Sequence, residues 1–244
     1  MNEKLGLVSI SFRDKTPSQI LKAMNDCGLS FIEWGSDVHA PPQKAAEIAD
    51  VQKMYGVECS SYGTYFRFGT NPLSELCEYI YAAKMLGTDI LRLWCGNKNS
   101  EDYSQKEKES LFYECREASE IAKKHNVILC MECHNRTYTN STLASLELME
   151  NVNSPYFRMY WQPNQFKSFE ENMEYAKAIS PYTKNIHVFN WRGEQRYSLH
   201  EGIKEWKAFL SAFGKEHTLL LEFMPDDKIE TLQYELEALK EIVK

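Results

Sequence analysis

Short apolar segments recur along the chain at intervals of roughly 30 residues, and most of them follow a residue type that often stands just after a helix. Gly28 precedes one such segment, Gly87 precedes another and Asn126 a third. In chain order, the strand candidates are LGLVSISF, LSFIEW, VECSSY, TDILRLW, VILCMEC, YFRMYW, IHVFN and TLLLEF. Their nearly continuous apolar character is typical of strands that are buried on both faces.

Helix start signals lie between these segments. Thr16–Gln19 (TPSQ) is a capping box with proline at the first helical position, and the same spacing begins at Ser104 and at Ser168. Alternating strands and helices predict a parallel sheet with right-handed crossovers, and eight such units fit a closed (β/α)8 TIM barrel. No linker rich in Pro, Gly or Ser divides the chain, so residues 1–244 are predicted to form a single barrel domain.

A doubly wound open sheet is the alternative fold for this alternation. Such sheets usually carry a glycine-rich phosphate-binding turn directly after a strand. Neither GxGxxG nor GxxxxGK[ST] occurs in the sequence, and this favours the barrel.

Charge and cysteine content exclude several classes of protein. The net charge of -7 argues against a protein that binds nucleic acid through its phosphates, which requires a basic face. Seven cysteines, an odd number, indicate a reduced, cytoplasmic protein and not a disulfide framework. Cys130 and Cys133 would place their thiols on opposite faces of a strand, which favours structural roles. No apolar run approaches membrane length, and Met1–Ser11 lacks the charged-then-apolar pattern of a leader.

Two strand candidates end in a glutamate, Glu132 after VILCM and Glu222 after TLLL. A carboxylate at the end of a buried strand is costly unless a cation or a donor pairs with it. Because TIM barrels place their active sites at the carboxyl ends of the strands, both glutamates should meet Gln162 and His187 from the intervening strands. Carboxylate oxygens, a carboxamide oxygen and an imidazole together suit a divalent cation. A lone strand-end glutamate is more often salt-bridged or exposed, but this combination favours a metal or catalytic site.

The sequence resembles the xylose-isomerase-like barrels of the sugar phosphate isomerase/epimerase superfamily over nearly its whole length. VILCMECHN is similar to the family's strand-five glutamate followed by an Asn/His pair, and MYWQPNQF is similar to its strand-six motif. IHVFN resembles the strand with the family histidine, and LLLEF resembles the last strand with its glutamate.

The resemblance implies an isomerase or epimerase of a small sugar, sugar phosphate or polyol, working by proton transfer next to a carbonyl. Glu132 and Glu222 would be the catalytic acid and base, on either side of a small carbohydrate substrate. The implied metal ligands for Mn, Mg, Co or Zn are Glu132, Gln162, His187 and Glu222. The implied substrate-binding residues are Trp34, Arg92, His134, Gln165, Asn190 and Arg192.

Gln162 is the main departure from the family pattern, because it stands where the family has a metal-binding aspartate. A carboxamide still offers an oxygen, but it brings no negative charge. With both glutamates ionised, the ligand charge falls to about -2 from the -3 of the family, which predicts weaker binding of a divalent ion. The site would then hold its metal weakly, hold it only with substrate, or work without it.

Three other functions are compatible with the same barrel. A dehydratase of a related polyol or keto-sugar would use the same two glutamates, and a non-catalytic sugar-binding barrel would have a degraded metal site. An endonuclease of abasic DNA is disfavoured by the acidic charge and the absence of the strand-six aspartate. The substrate stays open, as does the choice between a monomer and a homo-oligomer.

Overall fold

The computed structural model describes residues 4–244 and contains a closed barrel of parallel strands surrounded by helices. The barrel strands are β1 (Lys4–Val8), β2 (Phe31–Gly35), β3 (Glu58–Phe68), β4 (Ile90–Cys95), β5 (Ile128–Glu132), β6 (Phe157–Trp161), β7 (Thr183–Val188) and β10 (Thr218–Leu221). A short antiparallel hairpin, β8 (Trp191–Arg192) and β9 (Gln195–Arg196), follows β7. The predicted domain also includes residues 1–3, which lie outside the described range.

One helix follows each barrel strand along the chain and packs outside the barrel. The helices are α1 (Pro17–Cys27), α2 (Ala45–Met54), α3 (Leu76–Leu86), α4 (Gln105–His125), α5 (Thr142–Val152), α6 (Phe169–Ile179), α7 (Ile203–Leu210) and α8 (Leu232–Ile242). The capping boxes predicted at Thr16, Ser104 and Ser168 begin α1, α4 and α6 with both reciprocal hydrogen bonds formed. Among the described residues, no helix is both long and apolar enough to cross a membrane.

The strand order closes the barrel. Going round it, the strands run β1, β10, β7, β6, β5, β4, β3 and β2, and β2 pairs back with β1. Every one of these pairings is parallel, which confirms the predicted (β/α)8 TIM barrel. The carboxyl ends of the eight strands therefore meet at one mouth.

Side chains alternate between the barrel interior and the layer of helices. On β5, Leu129 and Met131 belong to the large core between strands and helices, whereas Cys130 belongs to a small inner cluster. Val8 and Tyr160 are also members of that inner cluster. The apolar inner cluster fills the barrel, so the inward-facing residues nearest the strand ends sit at the mouth above a packed floor.

Candidate active site and metal centre

Charged and polar side chains occupy the mouth of the barrel, where a cavity of about 200 Å³ opens. Six of the residues that the sequence singled out line this cavity, and they are Arg92, Glu132, His134, Gln162, Gln165 and Glu222. Ile10 and five aromatic residues complete its walls, and the aromatic residues are Tyr65, Trp94, Phe189, Trp191 and Phe223. The space is suited to a small polar molecule held between flat apolar faces.

His187 lies below this cavity and is completely buried. Its Nδ1 atom is 3.0 Å from Gln162 Oε1, and 3.5 Å from both Glu132 Oε1 and Glu222 Oε2. At metal–ligand bonds of roughly 2.1 Å, neighbouring ligand atoms lie about 3.0 to 3.4 Å apart. The residues predicted as metal ligands therefore converge, with ligand atoms 3.0 to 3.5 Å from Nδ1, which is close to the spacing around a divalent ion.

The carboxamide of Gln162 has a defined orientation. Its Nε2 donates to the carbonyl of Cys133 at 3.3 Å, and this turns Oε1 towards His187. Gln162 thus presents an uncharged oxygen at the position of the expected ligand. Carboxamide oxygens are acceptable ligands for hard cations, but they contribute no charge to the site.

Glu132 is held from behind by two donors. Its Oε2 accepts hydrogen bonds from Arg92 Nη1 at 2.6 Å and from Trp94 Nε1. Burial by itself raises the pKa of Glu132, but the positive charge of Arg92 lowers it well below the usual range. Glu132 is consequently an ionised carboxylate whose free oxygen, Oε1, faces His187.

Glu222 has different surroundings. Burial raises its pKa to about 7, and the neighbouring carboxylates of Glu132 and Glu33 act in the same direction, against His187 and Arg92. Glu222 can therefore gain and lose a proton near neutral pH, as a general acid or base requires.

Glu33 is a site residue that the sequence analysis did not select. It is fully buried and its carboxylate lies 3.4 Å from Nε2 of His187, on the side of the ring that faces away from the cavity. Arg92 Nε and Ser61 Oγ each donate to it at 2.8 Å. Burial by itself raises the pKa of Glu33, but Arg92 and His187 lower it to about 2. Strand alternation, applied to LSFIEW, would have placed this glutamate inside the barrel.

The charges of the site fit a divalent ion. Glu33, Glu132 and Glu222 against the single guanidinium of Arg92 leave a formal charge of -2 when His187 is neutral. Although burial alone lowers the pKa of His187, Glu222 and Glu33 raise it to about 10. Without a metal, the excess negative charge is therefore balanced by protons bound to these residues. A divalent cation at the same place would replace those protons and balance the charge itself.

His134 offers a second proton acceptor at the cavity. Its Nδ1 lies 2.6 Å from the carbonyl of Asn135, which can only accept, so Nδ1 carries the proton of the neutral ring. The ring stacks on Trp94 with 5.0 Å between centroids and lines the cavity. Its Nε2 is therefore the nitrogen that keeps a lone pair.

Three residues expected to bind substrate do not line this cavity. Trp34 is completely buried and points outwards, with its Nε1 donating to Gln52 of α2 at 2.8 Å. Trp34 follows Glu33 directly, and since Glu33 points inwards, Trp34 must point to the helices. The carboxamide of Asn190 is occupied by the carbonyl of Ser198, and Asn190 lines a separate neighbouring cavity.

Arg192 is the third of these residues. It lies exposed on the hairpin β8–β9, where it lines the same neighbouring cavity as Asn190. The hairpin is not predictable from the sequence, because each of its strands has only two residues. The expectation for Trp34 is therefore corrected, whereas substrate binding by Asn190 and Arg192 stays a prediction.

Comparison with curated proteins gives one partial match. The chain is 30% identical over 118 residues to a 3-dehydroshikimate dehydratase of Bacillus anthracis. The matched region takes in 48% of this chain and 42% of that protein, so the similarity spans less than half of the curated relative.

Several solved structures share the fold over almost the full length of the chain. The probable 3-DHS dehydratase of Bacillus anthracis has a TM-score of 0.81 at 18% identity, with 97% of this chain and 98% of that chain covered. The IOLI protein with a bound zinc atom has a TM-score of 0.78 at 16% identity, covering 98% and 96%. The sequence model of a protein family, the xylose isomerase-like TIM barrel family, matches residues 21–242 of this chain. The chain therefore belongs to the xylose isomerase-like TIM barrel family.

Proposed function

We propose that the protein is a divalent-metal-dependent enzyme that removes the proton next to the carbonyl of a small polyhydroxylated compound, as an isomerase or epimerase. The observation that carries the proposal is the convergence of Glu132, Gln162 and Glu222 on Nδ1 of His187 beneath a small cavity. A bound divalent ion would supply polarisation of the substrate carbonyl and charge for the developing enediolate.

Unequal surroundings support unequal roles for the two glutamates. Glu132 is fixed as an ionised carboxylate by Arg92 and Trp94, which suits a permanent ligand. Glu222, with its pKa near 7, can take the proton from the carbon next to the carbonyl. His134 can accept a proton on the lone pair of Nε2 and, once protonated there, can return it to carbon or deliver it to a neighbouring oxygen. Trp94 and Trp191 would flank the substrate with flat apolar faces.

A dehydratase is the second candidate, because both the partial sequence match and the structure with a TM-score of 0.81 carry that activity in their names. The first step is the same in both reactions. An isomerase or epimerase returns a proton to the enediolate, whereas a dehydratase expels a hydroxyl group from the next carbon. His134, after taking a proton from solvent on Nε2, would then protonate the departing oxygen, which leaves as water.

One experiment tests the shared step and separates the two outcomes. The protein is stripped with EDTA, reloaded with Mn2+, Mg2+, Co2+ or Zn2+, and incubated in deuterated water with a panel of ketoses and with 3-dehydroshikimate. Proton NMR detects exchange next to the carbonyl, and ultraviolet absorbance detects a conjugated elimination product. We expect exchange or elimination by a metal-loaded form and neither by Glu222→Gln. Absence of both reactions across the panel, with the metal bound, would contradict the proposal for these substrate classes.

A further inference from the structure

We propose that Glu33 is a positioning residue that holds His187 with Nε2 turned away from the cavity and Nδ1 presented to the metal ligands. Through Arg92, Glu33 also fixes Glu132. The inference rests on the proposed function, since it concerns the ligands of the same divalent ion.

The carboxylate of Glu33 is fixed on three sides. Arg92 Nε donates to Oε1 and Ser61 Oγ donates to Oε2, both at 2.8 Å. His187 Nε2 is 3.4 Å from each of the two oxygens. Because Glu33 is completely buried, no water competes for these contacts, and the carboxylate is a rigid acceptor for the imidazole.

The direction of this contact decides which nitrogen can bind a metal. A neutral imidazole carries one proton, so a proton shared with Glu33 from Nε2 leaves the lone pair on Nδ1. Nδ1 is the atom surrounded by Gln162, Glu132 and Glu222. In the described part of the chain, Glu33 is the acceptor that contacts Nε2. Without Glu33, neither the tautomer of His187 nor the orientation of its ring would be fixed.

Arg92 carries the influence of Glu33 to a second ligand. One guanidinium spans the two carboxylates, with Nε on Glu33 and Nη1 on Glu132 Oε2 at 2.6 Å. Since the guanidinium is planar and rigid, fixing Nε also fixes the direction of Nη1. Glu132 is thereby turned so that Oε1 faces His187.

Gly63 on β3 leaves space for the Glu33–Arg92 pair because it has no side chain. A Cβ atom on Gly63 would lie 2.6 Å from both Arg92 Nη2 and Glu33 Oε1, closer than such atoms approach. The register between β3 and β4 also shifts after Gly63. A side chain at this position would have to displace the Glu33–Arg92 pair, although it would change no charge.

A purely structural role for Glu33 makes a different prediction. If Glu33 only neutralised Arg92, its replacement would lower stability and leave the metal ligands in place. Glu235 offers a matched control, because it is another buried carboxylate with two donors, Ser198 Oγ at 2.7 Å and the amide of Leu199 at 2.6 Å. It lies on α8 and is not in contact with the ligands.

Calorimetric titration of EDTA-stripped protein with Mn2+ tests the proposal. Replacing an outer partner of a metal ligand typically weakens binding by about 10- to 100-fold, and we expect this for Glu33→Gln. Gly63→Ala should weaken binding in the same direction. Glu33→Asp keeps the negative charge that pairs with Arg92, but its shorter side chain moves the carboxylate away from His187. This variant therefore tests the positioning of His187 if Glu33→Gln does not fold. Glu235→Gln should lose stability and bind Mn2+ within about twofold of the parent.

Two spectroscopic measurements report on His187 itself. The visible spectrum of the Co2+ form should change in Glu33→Gln and Gly63→Ala but not in Glu235→Gln. In the Zn2+ form, nitrogen NMR should show a protonated Nε2 on His187 of the parent. Unchanged Mn2+ affinity and an unchanged Co2+ spectrum in folded Glu33→Gln or Glu33→Asp would overturn the inference alone. A parent protein that binds none of these ions would overturn the proposed function together with it.

Discussion

Glu132 and Glu222 are both buried at strand ends, yet their electrostatic surroundings are opposite. Glu132 is paired directly with Arg92, whereas Glu222 lies among other carboxylates and makes its direct charged contact with His187. The sequence presents the two residues as equivalent, because each simply closes an apolar run. Only the positions of Glu33 and Arg92 across the barrel make them different.

The two glutamates should therefore respond differently to substitution in metal-free protein at pH 8. Glu132→Gln leaves Arg92 with Glu33 alone and should lower the free energy of unfolding by about 2 to 3 kcal/mol. Glu222→Gln removes a repelled charge and should leave stability unchanged or raise it by up to about 1 kcal/mol. Urea unfolding in EDTA measures both. Equal losses in the two variants would show that the surroundings do not distinguish them.

Gln162→Asp restores the charge that the family pattern carries at this position. An added carboxylate should tighten binding of Mn2+ by about tenfold or more, because ligand charge governs affinity for hard cations. The side chain is shorter by one methylene and loses the bond to the carbonyl of Cys133, which works against the gain. Calorimetric titration of parent and variant decides the balance. Equal or weaker binding by a folded variant would indicate that residue 162 binds substrate and not metal.

The four proposed ligands could be found from the sequence because each closes a strand at the same mouth, and strand order then brings them together. Glu33 also closes an apolar strand, but the sequence gives it no role, because it lies far along the chain from the four proposed ligands. Its partners, Arg92 and His187, come from other strands and are recognised only once the barrel is closed.

At the scale of single elements, the alternation of side chains along a strand explains which predicted residues face the barrel interior and why Trp34 does not. Cys130 and Cys133 lie in the inner and outer clusters, as their offset predicts. The same rule separates Trp34, which packs against α2, from Trp94, which donates to Glu132. Helix starts were predictable because capping boxes are local, whereas the hairpin β8–β9 has only two residues in each strand and no apolar pattern.

The two tryptophans provide a test of this alternation. Trp34→Phe removes the donor to Gln52 inside the outer core and should cost about 1 to 3 kcal/mol of stability, without altering Mn2+ affinity. Trp94→Phe removes a donor to Glu132 and should weaken Mn2+ binding. Urea unfolding and calorimetric titration of both variants check the prediction. A Mn2+ affinity lowered in Trp34→Phe but kept in Trp94→Phe would reverse the assignment of faces.

For the whole molecule, the barrel encloses more negative than positive charge at its mouth, and protons compensate for this when no metal is bound. The pKa of His187 is raised to about 10 from an ordinary 6.5, and that of Glu222 is raised to about 7 from 4.5. Groups with raised pKa values stabilise the folded state fully below their ordinary values, and this contribution is lost as pH rises through the folded values. Metal-free protein should therefore become less stable between pH 6 and 9.

A divalent ion should offset this trend, because it supplies the charge that the protons provide at lower pH. Binding displaces protons from His187 and Glu222, so affinity for Mn2+ should rise with pH, by up to about tenfold per unit for each proton displaced. At a metal concentration of about one hundred times Kd the gain in stability is about 2.7 kcal/mol, and this gain at fixed Mn2+ should grow from pH 6 to pH 8.5. Thermal unfolding in EDTA and in Mn2+ across this range measures it. Glu222→Gln cannot release the proton of Glu222 and should show a shallower rise, with the share from His187 remaining. A stabilisation by Mn2+ that stays constant or falls as pH rises would mean that the ion does not replace protons at these residues. The negative charge buried at the barrel mouth would then be balanced by a group other than this metal ion.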